Sequence, residues 1–211
     1  MASAVPERRD PLSVPLIADI RSPFASSSEV DNVVSQPAAP ALEPARIAQL
    51  LAATATTVEA ELRALGEAGA SWRPAAGEWC ANEVVGHLVE ADLRGFTGRI
   101  RTLLAEEDPA FLGWDQPSVA AARGDCAKSA DELLAEFLPL RAEGIELILR
   151  LRPEDLGRAG RHNVVGRLTA GDIVTEWVHH DRNHVRQLLA IGQAIAWPQM
   201  GNARRFSETD A

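Results

Sequence analysis

His180 and His184 stand four residues apart in the run HHDRNH that begins at His179. On a helix, side chains four apart lie one turn above the other on one face, with Cβ atoms about 5–6 Å apart, so two imidazoles at this spacing can share one metal ion. The stripe they belong to reads Ile173, Trp177, His180, His184, Leu188, Ile191. Four of its six positions are large and apolar, so the two histidines point where an unpaired polar group is costly. An ordinary hydrogen bond would satisfy one inward histidine, and a helical pair arises by chance fairly often. A third ligand distinguishes the cases. His87, in EVVGHLVEAD, lies on a second mostly apolar face with Val84, Leu88, Ala91 and Gly95. Two helices aiming His87, His180 and His184 at one core supply the protein ligands of an open zinc-type site, with a position left for water or substrate. His179 is turned about 100° off the stripe, and His162 lies in a polar segment. Both are expected to be solvated.

Around the three histidines, Asp181, Glu176 and Glu90 are the candidates for proton transfer or ligand orientation. Glu176 precedes His180 by one turn and Glu90 follows His87 by nearly one. Gln187, three after His184, could orient it. The alternative for each is a structural or solvated polar role. His-Asp-x-x-His also differs by one methylene from the His-Glu-x-x-His of zinc peptidases. There the residue after the first histidine is the general base, and Asp181 is too short to serve in the usual way.

These positions need a scaffold. The chain has 211 residues, 46% of them hydrophobic, enough for one domain with tails. A formal charge of −9 argues against nucleic acid or an anionic membrane surface as partner, since both reward clustered Lys and Arg. No apolar run reaches the roughly 18 residues of a membrane span, and charges fall where a signal peptide needs its apolar segment. A cytoplasmic protein handling a small molecule is expected, as monomer or homodimer. Two cysteines, Cys80 and Cys126, are too few for a disulfide framework and fit a reducing compartment.

Residues 1–40 are rich in Ser, Ala and Pro, lack any persistent period and read as a disordered leader. A polar tail over residues 199–211 closes the chain. Between them, residues 41–198 carry four helical patterns. The first, 44–65, stops in Gly66 and Gly69. The second, 80–105, opens on Cys80 and Glu83 at capping-box spacing, with Cys a poor substitute for Ser, and contains Gly86, Gly95 and Gly98, which imply close approach of a neighbour or room for a bound group. The third begins with the capping box Ser129 to Glu132 and ends before Pro153, with Pro139 expected to kink it. The fourth runs from Thr169 to Gly192. The link between helices two and three exceeds 20 residues, long enough to span the bundle and make those helices parallel. Its Phe111, Leu112 and Trp114 could wall a pocket or plug one end of the core. Residues 160–169 suggest a small extended turn.

Taken in order, Trp79 with Glu83, GHLVEAD around His87, WDQP in the long link and GRLTAGDIVTEWVHHDRNHVRQL resemble the DinB-like superfamily, also called the DinB/YfiT-like metalloenzymes, over residues 42–198. The resemblance implies an all-α four-helix bundle, up-down-down-up, with a divalent metal, zinc or nickel, held by His87, His180 and His184. It also implies transferase or related chemistry that uses a low-molecular-weight thiol such as bacillithiol, mycothiol or glutathione. A three-histidine metal can stabilise a thiolate beside an electrophile, or generate hydroxide. The chain departs from the family in having Cys80 where Ser commonly caps the helix, and no cluster of Arg or Lys stands out that would clamp a thiol's carboxylates. A metal-stabilised stress or binding protein without catalysis is the alternative reading, and a zinc peptidase ranks below both.

Overall fold

In a computed structural model that describes residues 40–208, four long helical rods pack as a bundle. Residues 1–39 of the expected leader and the last three residues of the expected tail lie outside the described residues. The first rod is α1 (Pro44–Ser71). The second is α2 (Ala81–Glu90), a wider π-helical segment (Ala91–Thr97) and α3 (Gly98–Ala105) in continuous succession. The crossover carries β1 (Ala110–Phe111) and α4 (Gln116–Arg123). The third rod, α5 (Ala130–Arg150), leads through the single turn α6 (Pro153–Leu156) and the strands β2 (Ala159–His162) and β3 (Gly166–Thr169) into the fourth, α7 (Ala170–Ala196). Residues 204–208 form a last helical turn, α8 (Arg204–Glu208).

Cross-bundle pairs set the directions. Arg63 of α1 meets Asp131 at the start of α5, while Ile47 and Ile148 share a core cluster, so α1 and α5 are antiparallel. Arg141 meets Asp92, and Gly144 faces Thr97, so α5 runs parallel to the second rod. His87 meets His180, whereas Trp177 donates to Asp92, so the second rod and α7 are antiparallel. The order is up-down-down-up, and the long link serves as the crossover that the sequence implies.

The helix boundaries follow local chemistry. Ser129 Oγ accepts from the Glu132 N–H, with the Glu132 carboxylate returning to the Ser129 N–H, and Thr169 with Asp172 does the same for α7. Gly66, expected to stop α1, takes φ 63° and interrupts the helical path, which resumes to Ser71 because Ala70 is buried beyond it. Likewise α7 passes Gly192 and ends at Ala196. Pro139 lies within α5, which continues on both sides of it. The expected turn at 160–169 is an antiparallel hairpin, β2 with β3, and β1 adds to β2 in parallel.

Two core clusters fill the bundle. One gathers Ile47, Leu51, Ile100, Ile148, Ile173 and Trp177, and the other Val58, Leu62, Leu88, Leu133, Phe137 and Leu188. The glycines of the second rod answer to close neighbours. A Cβ on Gly86 would overlap the Asp125 carboxylate, and one on Gly95 would lie 2.9 Å from Trp114. Among the described residues no helix is long and apolar enough to cross a membrane.

The cysteines depart from expectation. Cys80 and Cys126 form a disulfide with Cα atoms 6.3 Å apart, joining the start of α2 to the turn after α4. Sequence spacing gave no sign of this, because crossover and helix meet only in the folded chain. The Cys80 N–H still donates to Glu83 Oε2 at 3.0 Å, so the reverse half of the cap survives.

Candidate metal centre

His87 projects from the second turn of α2, and His180 and His184 from the middle of α7, into the space between these antiparallel rods. The Nε2 atoms of His87 and His180 lie 3.0 Å apart, and the ring centroids of the three are 4.5–5.0 Å from one another. One ring nitrogen of each falls within 4.8 Å of the other two. Burial holds all three imidazoles in their neutral form: it pushes His87 down to about 3 and, with the neighbouring histidines, His180 to about 2, and it lowers His184. Neutral imidazole is the form a metal requires.

The surroundings orient these rings. His184 Nδ1 lies 3.1 Å from Gln187 Oε1, which fixes the proton on Nδ1 and turns the Nε2 lone pair inward. Trp79 covers His87 at 5.2 Å and stacks on His184 at 6.5 Å between centroids, and Phe96 presents an edge-to-face contact to His180 at 5.2 Å. His180 Nδ1 is buried with no hydrogen-bond partner among the described residues.

The three carboxylates singled out in the sequence part company. Asp181 is fully buried and turns away from the histidines into a charged knot: Arg141 donates through Nη1 and Nη2 to Asp181 and through Nε and Nη2 to Asp92, and Trp177 Nε1 donates to Asp92. Both Asp181 oxygens are thus engaged by Arg141. Glu90 is buried beside His87 and accepts from Arg94 at 2.5 Å and Arg123 at 2.9 Å. Together with Trp114, Gln116 and Arg123 these two residues line a cavity of about 10 Å³, space of the order of one water. Glu176 is exposed, although its carboxyl lies close enough to the bundle for desolvation to raise its pKa.

Of the other histidines, His179 is exposed as expected. His162 is not simply solvated: it is half-buried on β2, with Nε2 3.1 Å from Arg99 Nη2. The residues missed by sequence reasoning are mostly arginines. Arg141 had a readable signal, since it falls on the buried stripe of Phe137, Gly144 and Ile148, where a long cation demands carboxylate partners.

A helical bundle enclosing a buried cluster of three neutral histidines is the class that this fold and site define. The chain belongs to the DinB superfamily, whose family model matches residues 49–188. Among solved structures it is similar to YfiT from Bacillus subtilis, described as "a probable metal-dependent hydrolase with an unusual four-helix bundle topology". That likeness has a TM-score of 0.68 at 16% identity and covers 77% of this chain and 93% of the other. No curated protein matches the chain significantly.

Proposed function

We propose that this protein is a metal-dependent enzyme in which His87, His180 and His184 hold a divalent cation, zinc or nickel, next to the site of reaction with a small electrophilic molecule. The observation that carries this reading is the convergence of three buried, neutral imidazoles, with one ring nitrogen of each within 4.8 Å of the other two. Tetrahedral zinc with Zn–N bonds of about 2.0–2.1 Å places ligand nitrogens about 3.3 Å apart, close to the 3.0 Å between His87 Nε2 and His180 Nε2. Membership of a superfamily that includes metal-dependent chemistry supports the same reading. A cation held there would lower the pKa of a bound water or low-molecular-weight thiol and so supply the nucleophile.

The protein's own groups have separable tasks. Gln187 fixes the tautomer of His184. Arg141, by gripping Asp181, holds the turn of α7 that presents His180. Glu90, both of whose oxygens accept from arginines, fixes the wall of the small cavity beside His87. Trp79 and Phe96 exclude water from the imidazoles. A peptidase mechanism is disfavoured, because Asp181, which would be its base, has its carboxylate taken up by Arg141.

Elemental analysis of protein purified without a histidine tag, as wild type and His87→Ala, tests the site. Near-stoichiometric metal in wild type, lost in the variant, is expected; unchanged occupancy would overturn the assignment. Turnover of an electrophile with and without added thiol then separates transferase from hydrolase. Metal that raises the melting temperature while no substrate is consumed under either condition would favour a metal-stabilised binding or stress protein.

A further inference from the structure

Beside the histidine cluster, α3 and the crossover enclose an open cleft of about 390 Å³, lined by Arg94, Gly98, Arg99, Phe111, Leu112 and Trp114. Trp114 also walls the small cavity at His87, so the two spaces share one side chain. Arg94 is already neutralised, its Nε donating to Glu90 at 2.5 Å. Arg99 is different. Its guanidinium is half-buried, 5.9 Å from the Phe111 centroid and 5.5 Å from that of Trp114, and its polar contacts are His162 Nε2 and, at 3.4 Å, the Leu112 carbonyl. Among the described residues no carboxylate lies within ion-pair distance of it. Glu176 acts on it only through space, and burial lowers the Arg99 pKa, as for a cation short of counter-charge. Glu176 stands one turn before His180 on α7, and Trp114, which lines both the Arg99 cleft and the cavity at His87, joins the two spaces.

We propose that the Arg99 cleft is the subsite for the carboxylate of the small molecule that reacts at the histidine cluster. The proposal rests on the metal-dependent reading above and deepens it by naming the substrate class: a monoanionic carboxylic acid with an apolar or aromatic body. A planar guanidinium matches a carboxylate with two parallel hydrogen bonds. One uncompensated cation balances one negative charge, whereas a phosphate dianion asks for more. The rings of Phe111 and Trp114 and the exposed side chain of Leu112 offer the apolar contact that such a body needs. The crossover thus both plugs the core, through buried Phe111, and walls a pocket, and the cation that the sequence did not single out is supplied by Arg99.

The test is titration of the full chain, zinc-loaded and metal-free, with phenylacetate, phenylacetamide and inorganic phosphate, followed by tryptophan fluorescence and calorimetry. Phenylacetate should bind wild type in both metal states and lose about tenfold or more in affinity in Arg99→Met, the value of one charge-assisted pair. Arg99→Lys should recover part of the loss. Leu112→Asp, which puts a negative charge beside the guanidinium and removes one apolar wall, should weaken phenylacetate more than the amide. The proposal is overturned by phenylacetate failing to bind wild type, by Arg99→Met binding as tightly as wild type, by phosphate outcompeting phenylacetate, or by binding that vanishes with the metal. Metal content, measured on the same samples, reports on the histidine site separately, so either reading can fail alone.

Discussion

Arg141 and Asp181 face each other in the dry centre of the bundle, a guanidinium of α5 against the carboxylate that follows His180, with both side chains essentially inaccessible to solvent. The same guanidinium forks onto Asp92 of the second rod. Three rods are therefore tied at one point, directly behind the histidines. Removing one member of such a knot leaves an uncompensated buried charge, a loss of about 3–5 kcal/mol. Arg141→Met should lower the unfolding free energy by that measure, seen as a lower denaturant midpoint, and weaken metal uptake. An unchanged midpoint would show that the knot does not support the site.

Acid should destabilise the metal-free protein. His87 and His180 ionise near 6.5 in the unfolded chain but only near about 3 and about 2 when folded. Below pH 6.5 the unfolded state binds more protons, so stability is full above that value and falls as pH drops toward 3. Melting temperature followed from pH 8 to pH 4 should decline for wild type, and less steeply for His87→Phe, in which one of the titrating rings is gone.

The Cys80–Cys126 disulfide ties together residues 46 apart in sequence. Closing a loop of that length stabilises typically by about 2–4 kcal/mol, chiefly by restricting the unfolded chain. Adding reductant, or the change Cys126→Ser, should lower the melting temperature of the oxidised protein. Reductant should have no effect on Cys126→Ser, and a drop there would point to another cause.

Gly144 lets α5 approach α7. A Cβ at this position would overlap the Trp177 ring and lie 3.1 Å from Thr97 Oγ1. Gly144→Ala should cost about 1–3 kcal/mol through overpacking, despite the better helix propensity of Ala. Gly192→Ala, whose Cβ would meet nothing within 4 Å among the described residues, should be neutral or stabilising, and chemical denaturation of the pair checks the contrast.

Periodicity and capping were enough to read the four rods, their order and the inward stripe of His180 and His184, because burial of one helical face writes itself into the spacing of residues along the chain. The length of the link implied parallel second and third rods. His87 could be selected because it alone of the remaining histidines lay on another apolar face. What the tertiary structure decided are the pairings between segments distant in sequence. Asp181, adjacent to His180, looks like a catalytic partner in sequence, yet helical geometry turns it about 100° from its neighbour and onto Arg141. Cys80 finds Cys126, Trp79 covers two imidazoles, and Arg99 has no carboxylate partner among the described residues beside its cleft. A helix repeats every 3.6 residues and so announces its own buried face. Which group on another rod meets that face depends on how the rods cross, and no local period carries that.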